Sequence, residues 1–374
     1  MSEISRRKWL QSSLLASSAL LMSGPASAAI ELSKKNVARF NDELIKLHYN
    51  ENPWGPSAKA REAVIKALDV SNRYPDDLVE SLKKEIAQTN QIDPRQIFVS
   101  AGSMEILSLL GQHVGLMKGE ILTAWPTFPT IVQAGEIAGA TTKKVWVDSN
   151  ERIDLNKLKA GITDKTSLIF LCNPNNPTST EVDTKDLRAF CRAVPSNVLI
   201  CVDEAYIEFS NNGLEGSMMS LVNELPNLII VRTFSKTYGL AGLRIGYAIS
   251  SQGNIEQLQM RHPGREIAAG VAPLAAALAT MKDPAFIKHC VSKNNEGKEI
   301  VYNAYKKWGV SHAKSSTSFI YTRHEHFDKD VVPKMKKDGI LITKWPDMKD
   351  HIRISIGKPS EMEAFVKTIE KYLV

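Results

Sequence analysis

Short apolar runs alternate with helix-like stretches between about Gln96 and Met260, and this alternation most constrains the fold of the chain. Each run is short and rich in Val, Ile and Leu, as is typical of strands that are buried on both faces. Helix-like stretches such as Ser103–Met117, Phe128–Ala138 and Asp183–Ala193 lie between most of the runs. The pattern predicts an α/β fold with a mostly parallel seven-stranded sheet flanked by helices. The predicted strands include Ile97–Val99, Ile121–Leu122, Lys144–Val147, Leu168–Cys172, Val198–Val202, Leu228–Val231 and Ile245–Ile249.

The pattern changes after Met260, where His262-Pro-Gly264 interrupts it. Two helix-like stretches, three short strand candidates and a last helix follow, which predicts a smaller α+β domain. We therefore expect a large domain over residues 58–262 and a small domain over residues 263–374. The predicted elements of the small domain are Ile267–Met281, Ala285–Lys307, Ser318–Thr322, Ile340–Thr343, Ile352–Ile356 and Ser360–Tyr372. Ahead of the sheet, the predicted helices are Ala58–Leu68, capped by Ser57, and Leu78–Thr89.

Residues 1–28 have the features of an export signal rather than of a folded segment. Ser5-Arg-Arg-Lys-Trp-Leu10 resembles the twin-arginine consensus, and a Ser-rich, weakly apolar stretch continues to Met22. Gly24-Pro-Ala-Ser-Ala28 resembles a cleavage site, so we expect cleavage after Ala28 and export to the periplasm. The apolar stretch is too short and too polar for a transmembrane helix, so no stable membrane insertion is expected. The alternative is a basic, disordered N-terminus.

Charge and cysteine content narrow the classes of partner. The net charge of +6 is modest, and no Lys/Arg cluster with interleaved aromatic residues occurs, so nucleic acid is not an expected partner. The cysteines show no Cys-x-x-Cys and no metal-like spacing, so no metal site is expected. Cys172 and Cys201 lie inside apolar runs and are predicted to be buried thiols. Because an exported protein can oxidise a cysteine pair, a disulfide remains open.

Three polar clusters each follow an apolar run directly. They are Asn173-Pro-Asn-Asn-Pro-Thr178, Asp203-Glu-Ala-Tyr206 and Thr233-Phe-Ser-Lys236. Their spacing of about thirty residues is the length of one β-crossover-β unit. Parallel strands would bring all three clusters to the same edge of the sheet, where open α/β sheets bind ligands. Hydroxyls and an arginine suit a phosphate, and a lysine with a lowered pKa could form a Schiff base.

The segment from Thr233 to Tyr247, Thr-Phe-Ser-Lys-Thr-Tyr-Gly-Leu-Ala-Gly-Leu-Arg-Ile-Gly-Tyr, resembles the signature around the cofactor lysine of fold-type I pyridoxal-phosphate aminotransferases. It is most similar to the histidinol-phosphate aminotransferase group. The resemblance covers nearly all of the chain after the signal and implies that Lys236 is the catalytic residue and binds the cofactor as a Schiff base. It also implies that residues 29–57 form an arm of the small domain. The implied cofactor-binding residues are Gly102, Ser103, Met104, Phe128, Asn176, Asp203, Tyr206, Thr233, Ser235, Lys236, Arg244 and Tyr74.

The resemblance assigns a role to each part of this cofactor set. Asp203 would keep the proton on the cofactor's ring nitrogen, which makes the ring a better electron sink. Tyr206 and Asn176 would donate to the phenolic oxygen of the ring. Ser235 and Arg244 would hold the phosphate together with the backbone of residues 102–104, which begins a predicted helix. Phe128 would stack on the ring, although a core Phe at a helix start is the alternative.

The resemblance also implies a substrate site and a homodimer. Arg353 would bind the α-carboxylate of an amino or 2-oxo acid, and Asn52 and Trp54 would lie near the substrate. Tyr74 would reach the cofactor phosphate of a neighbouring subunit, so that the two subunits share their sites. An exposed strand Arg and a loop Tyr that merely packs are the alternatives.

The chain departs from the histidinol-phosphate group near the substrate. Ser179 replaces the glycine of the Asn-Asn-Pro-Thr-Gly motif, and Thr343 followed by Lys344 stands where that group has an arginine for the substrate phosphate. The sequence around Arg265 also differs from the pattern of the group. We therefore expect an aminotransferase with a ping-pong mechanism for an unidentified amino acid or amine and a 2-oxo acid. The alternatives are a decarboxylase similar to threonine-phosphate decarboxylase, another pyridoxal-phosphate lyase or racemase, and a cofactor-binding protein without turnover.

Overall fold

A seven-stranded sheet forms the centre of the structure, a computed structural model that describes residues 44–264, 269–344, 347 and 350–374. The strand order is β2-β8-β7-β6-β5-β3-β4. All neighbours are parallel except β8, which runs antiparallel to both β2 and β7. The prediction of a mostly parallel sheet is therefore confirmed. The strands among the described residues are β1 (Ile45–Lys46), β2 (Ile97–Ser100), β3 (Glu120–Trp125), β4 (Thr141–Trp146), β5 (Thr166–Cys172), β6 (Leu199–Asp203), β7 (Leu228–Thr233), β8 (Gly246–Ser250), β9 (Phe319–Arg323), β10 (Ile340–Leu341) and β11 (His351–Ser355).

Helices cover the sheet, and most begin where the sequence predicts. Ser57 caps α1 through the Ala60 N–H, and Asp183 caps α6 through two backbone N–H groups. The α-helices in the described residues are α1 (Ala58–Ala67), α2 (Asp76–Asn90), α3 (Ser103–Leu116), α4 (Thr130–Ala138), α5 (Leu155–Gly161), α6 (Thr184–Ala193), α7 (Gln252–Arg261), α8 (Val271–Met281), α9 (Pro284–Trp308), α10 (Val331–Lys337) and α11 (Pro359–Ile369). None of these helices is long and apolar enough to cross a membrane.

The core lies on both faces of the sheet. Along β5, Ile169 and Leu171 belong to one buried cluster, while Leu168 and Phe170 belong to the other. Successive side chains of a strand point to opposite faces, so both kinds of position must be apolar. This arrangement explains why the strands appear in the sequence as continuous apolar runs rather than as an alternating pattern.

All four cysteines of the chain lie in the described residues, and all four are buried and unpaired. Burial raises the pKa of the Cys172 and Cys201 thiols well above the usual value, and the nearby Asp203 carboxylate adds to the effect. The prediction of buried thiols is confirmed for both residues. Among these four residues the structure has no disulfide.

A second, two-stranded sheet carries Arg353. Strand β11 pairs antiparallel with β9, and Arg353 lies opposite Tyr321. Thr343 and Arg353 exchange backbone hydrogen bonds of 3.0 and 2.8 Å and form an isolated bridge. The predicted strand 340–343 is therefore shorter in the structure, where only Ile340–Leu341 forms a strand. The N–H of Leu47 donates to the Leu341 carbonyl, and the Leu47 carbonyl accepts from Ser355. The loop that follows Leu47 is thereby anchored to the same sheet as Arg353.

The residues outside the described ranges include several that the sequence singled out. The predicted export signal and Arg265 are among them. The division into a large and a small domain, with its boundary near residue 262, stays a prediction.

Candidate active site

The three polar clusters meet at one edge of the large sheet. Strands β5, β6 and β7 are adjacent and parallel, with Cys172 paired to Asp203 and Asp203 paired to Val231. Just beyond these pairs, the Asn173 N–H donates to the Asp203 carbonyl over 3.0 Å. The clusters therefore leave their strands side by side.

Lys236 follows β7 at this edge and is half-buried. Its Nζ donates to the carbonyl oxygens of Tyr49 and Asn50, each over 3.2 Å. Burial lowers the pKa of Lys236 to about 8, and the positive charge of Arg353 acts in the same direction. The neutral amine is therefore far more abundant near neutral pH than in an ordinary lysine, as a Schiff-base lysine requires.

Asp203 is buried beside Lys236, with an exposed fraction of 3%. Burial raises the pKa of Asp203 to about 7, although the Ala205 N–H, 3.1 Å from Oδ1, and the charge of Lys236 oppose the shift. The two side chains are close enough for each to change the pKa of the other. A buried carboxylate of this kind is stabilised in its charged form by a cationic partner, such as a protonated ring nitrogen.

Tyr206 and Asn176 are held so that each retains a donor. Asn50 Nδ2 donates to the Tyr206 hydroxyl oxygen over 3.0 Å, and Arg353 Nη1 donates to Asn176 Oδ1 over 2.7 Å. The hydroxyl proton of Tyr206 and the Nδ2 group of Asn176 remain to be donated. Burial raises the pKa of Tyr206, so its hydroxyl stays protonated at neutral pH. These orientations fit the predicted donation to a phenolic oxygen.

Hydroxyls and Arg244 form a cradle at the start of α3. The Thr233 hydroxyl donates to Ser235 Oγ over 3.0 Å, and Arg244 Nη1 donates to the same oxygen over 3.3 Å. Gly102, which precedes α3, has a φ of 97°, and a Cβ there would lie 2.4 Å from Arg244 Nη2. The positive φ favours glycine at this position, and a Cβ would push the guanidinium away from the helix N-terminus. Donors in this arrangement suit a phosphate, so these residues fit pyridoxal phosphate.

The remaining predicted cofactor residues differ in how far they are buried. Ser103 is buried in the first turn of α3, while Met104 is 47% exposed. Phe128 is half-buried and packs against a core cluster. Tyr74 is 80% exposed on its own chain. The contacts of Met104, Phe128 and Tyr74 with a cofactor stay predictions.

Arg353 is buried, with an exposed fraction of 2%, so the alternative of an exposed strand Arg is wrong. Its Nη2 donates to the His48 carbonyl over 2.7 Å, and its guanidinium lies 5.3 Å from the centre of the Phe319 ring. Burial lowers the pKa of Arg353 to about 10, which keeps the guanidinium charged at neutral pH. The Thr343 hydroxyl donates to the same His48 carbonyl over 2.7 Å.

Asn52 and Trp54 lie next to the lysine loop. Asn52 Nδ2 donates to the Thr237 carbonyl over 2.8 Å and lies 3.2 Å from Cys290 Sγ, while Oδ1 accepts from the Trp54 N–H. Trp54 packs edge-on against His289, with ring centres 5.0 Å apart. Asn52 thus holds the loop together, and its contact with a substrate stays a prediction.

Sequence reasoning missed the residues that hold Lys236. Two of its partners are backbone carbonyls, which carry no residue-type signal. Asn50 was also missed, although it has a φ of 55° and connects Tyr206 with Ser355 through its side chain. An Asn with positive φ can be recognised only in a structure.

Ser179 takes the conformation of the glycine that it replaces. Its φ is 62°, it is fully buried, and its hydroxyl has no hydrogen-bond partner among the described residues. Its carbonyl accepts from the Ser316 N–H over 2.8 Å, which keeps the turn in place. The motif is therefore preserved in shape, at a cost in stability.

We expect Ser179→Gly to stabilise the protein by about 1 kcal/mol, because it relieves the left-handed backbone and the unpaired hydroxyl. Greater freedom of the unfolded chain offsets part of the gain. Urea unfolding measures the change. Ser179→Ala is the control, since it removes the hydroxyl but keeps the backbone strain; an Ala variant more stable than the Gly variant would contradict this account.

The arrangement of Lys236, Asp203 and Arg244 is typical of one class of enzymes. These enzymes bind pyridoxal phosphate through a lysine at the carboxyl ends of the strands of a parallel sheet. The chain matches the family described as "Aminotransferase class I and II" over residues 42–369 and therefore belongs to it. It is a pyridoxal-phosphate-dependent aminotransferase, and the resemblance stated from the sequence is confirmed at this level.

Similar proteins agree with this family. A histidinol-phosphate aminotransferase of Brevibacillus brevis is 36% identical over 300 residues, which cover 80% of this chain and 82% of that protein. An aromatic amino acid aminotransferase of Mycolicibacterium smegmatis is 34% identical over 329 residues, which cover 88% and 90%. The crystal structure of a histidinol-phosphate aminotransferase from Sinorhizobium meliloti in complex with pyridoxal-5'-phosphate has a TM-score of 0.78 at 26% identity and covers 87% of this chain and 90% of that one.

Proposed function

We propose that this aminotransferase acts on an α-amino acid and a 2-oxo acid, and that it works as an exported homodimer. The observation that carries the substrate assignment is the buried, charged Arg353. A buried guanidinium beside the reactive lysine is suited to bind a carboxylate through two parallel hydrogen bonds. Histidinol phosphate has no carboxylate, so with that donor Arg353 would serve only the 2-oxo acid.

The side-chain end of the substrate is proposed to be uncharged and aromatic. Thr343, which stands in place of an arginine, uses its hydroxyl on the His48 carbonyl. Trp54 and Phe209 line a pocket together with Lys236, and the Tyr49 ring, 67% exposed, lies against His48 with ring centres 3.9 Å apart and planes tilted by 34°. Aromatic walls favour an aromatic or apolar group over a phosphate. The similarity to an aromatic amino acid aminotransferase supports this choice.

The bound cofactor would supply an aldehyde and an electron-accepting ring. Asp203 would hold the proton on the ring nitrogen, Tyr206 and Asn176 would donate to the phenolic oxygen, and Ser235 with Arg244 would bind the phosphate. Lys236, as a neutral amine, would take the proton from the substrate Cα and hold it at Nζ. Its lowered pKa suits it to both halves of this proton transfer.

Arg353→Lys should lower kcat/KM for an aromatic amino acid roughly 30- to 1,000-fold, because lysine cannot form the two parallel hydrogen bonds. This factor corresponds to a loss of about 2–4 kcal/mol in transition-state stabilisation. The matched control is the amine that lacks the carboxylate, for example tyramine against tyrosine. Its turnover should change little between the two proteins. Equal losses for both substrates would contradict the proposed contact.

Titration of the holoprotein with a panel of amino acids, with and without a 2-oxo acid, tests the reaction itself. Conversion of the cofactor to its amino form, reversed by the 2-oxo acid, is expected for a transaminase. Carbon dioxide release without any 2-oxo acid would indicate a decarboxylase instead. Bound cofactor that responds to no amino acid would indicate a protein without turnover.

An exposed apolar strip supports the homodimer. Ile65, Leu68, Val70 and Tyr74 are all more than half exposed and lie close together in sequence around the end of α1. A strip of this kind is typical of a surface covered by a partner, here a second copy of the chain. Sedimentation analysis is expected to give a dimer, and mixed dimers of Tyr74→Phe and Lys236→Ala subunits should recover activity if the sites are shared.

Export rests on the twin-arginine signal of residues 1–28. Replacing Arg6 and Arg7 by Lys should keep the protein in the cytoplasm and prevent cleavage after Ala28. Fractionation of cells that express each form measures the result. The N-terminal sequence of periplasmic protein would identify the cleavage site.

A further inference from the structure

We propose that Glu208 is a positioning residue for Lys236: it holds the Thr237 hydroxyl and thereby fixes the backbone from which the Lys236 side chain projects. The inference rests on Lys236 being the cofactor lysine. Glu208 follows β6 in the same stretch as Asp203 and Tyr206, yet the cofactor roles leave it unused.

Thr237, the residue next to the reactive lysine, is held by hydrogen bonds from both its side chain and its backbone. The Thr237 hydroxyl donates to Glu208 Oε2 over 3.1 Å, and the Thr237 carbonyl accepts from Asn52 Nδ2 over 2.8 Å. Thr237 is fully buried. Its side chain and its backbone therefore each have one fixed partner, which limits the motion of the peptide that follows Lys236.

Glu208 is itself held by a buried charge network. Arg232 acts on Glu208 electrostatically, while its Nε donates to Glu204 Oε2 over 3.0 Å. Glu204 in turn follows Asp203 directly and accepts from the Met218 N–H over 2.8 Å. The guanidinium of Arg232, on β7, thus interacts with two acids of the segment that follows β6.

The effect of Glu208 on the lysine is geometric. The charges that act on Lys236 are those of Arg353, Glu51, Asp203 and Arg244, and its Nζ lies 5.6 Å from the centre of the Tyr206 ring. Glu208 acts through Thr237 and also interacts with the Tyr238 side chain, so removing Glu208 should have at least the consequence of removing the Thr237 hydroxyl.

The test measures the midpoint, the pH at which half of the Lys236 amine is protonated in the apo-protein. The amine is labelled with fluorodinitrobenzene at a series of pH values, and mass spectrometry measures the extent of labelling at this residue. Loosening this contact should let Nζ reach water, so Thr237→Val should raise the midpoint by about one unit and lower kcat of the holoenzyme about tenfold. Glu208→Ala should change both properties at least as much, because it also removes the partner of Tyr238, and the double variant should lose no more than Glu208→Ala alone. Thr237→Ser should restore most of both properties.

Thr280→Val is the matched control, because it also removes a fully buried hydroxyl, one that donates to the Ala276 carbonyl in α8. It should lower the melting temperature without moving the midpoint. If Thr237→Val behaves like this control, the contact is merely structural and the proposal is overturned. Additive losses in the double variant would overturn it as well. Failure of the Lys236 assignment is seen separately, as the absence of a borohydride-trapped adduct at that residue.

Discussion

Lys236→Ala will abolish transamination, with a loss of roughly 10⁴-fold or more in kcat, because one side chain both links the cofactor and moves the proton at the substrate Cα. The variant should also lose the visible absorbance of the cofactor-bound protein. Borohydride treatment of the wild-type holoprotein, followed by peptide mass spectrometry, should place the adduct at residue 236.

The chain offers a matched control in Lys298. This lysine is 6% exposed in α9, burial lowers its pKa to about 8, and its Nζ donates to the Ser315 carbonyl over 3.1 Å. It therefore resembles Lys236 in its lowered pKa, but the charges that act on it are those of Lys314, Glu299 and Glu181 rather than those of Asp203 and Arg244. Lys298→Ala should reduce stability and leave the visible spectrum unchanged. An adduct on Lys298 instead of Lys236 would contradict the assignment of the active site.

The parts of the fold that the sequence predicts are those with a residue-type pattern. The buried strands β5 and β6 are continuous apolar runs, and their polar ends identify Asp203 and the neighbouring clusters. The short helices α5, α7 and α10 were not predicted. Each is at most ten residues long, so it contains too few apolar repeats to be recognised as a helix.

The active site, like the fold, has parts that the sequence predicts and parts that it does not. Lys236, Asp203 and Arg353 are recognisable because their chemistry needs those side chains. The carbonyls of Tyr49 and Asn50 depend on backbone position, and the contact of Glu208 with Thr237 depends on the distance between two loops. Neither leaves a mark in the sequence, since any residue supplies a carbonyl and many acids follow strands.

Asp203→Asn will produce two effects of opposite sign. It should lower kcat about 100-fold or more, since asparagine cannot hold the proton on the ring nitrogen. It should also stabilise the apo-protein at pH 8 by on the order of 1–4 kcal/mol. The stabilising effect follows from the pKa of Asp203, which burial raises to about 7 from an ordinary value of 3.8.

The raised pKa means that the folded apo-protein binds this proton more tightly than the unfolded chain. Its contribution to stability is complete below about pH 4 and is lost as pH rises towards about 7. Asparagine has no proton to lose, so the two apo-proteins should have similar stability near pH 4 and should diverge by pH 8. With pyridoxal phosphate bound, the wild-type protein should be more stable than Asp203→Asn at pH 8, because the protonated ring nitrogen would neutralise the Asp203 carboxylate. Melting temperatures at both pH values, with and without cofactor, measure the crossover.

Glu204→Gln is the control, at the adjacent residue. The Glu204 side chain is as buried as that of Asp203 but is paired with Arg232, and the two side chains are 1% and 7% exposed. Removing its charge leaves the Arg232 guanidinium buried without its partner carboxylate, which should cost about 3–5 kcal/mol in the apo-protein. Two neighbouring acids should thus respond to the same neutral substitution with opposite changes in stability. A loss of apo-protein stability in Asp203→Asn at pH 8 would show that Asp203, too, is paired within the chain rather than kept for the cofactor.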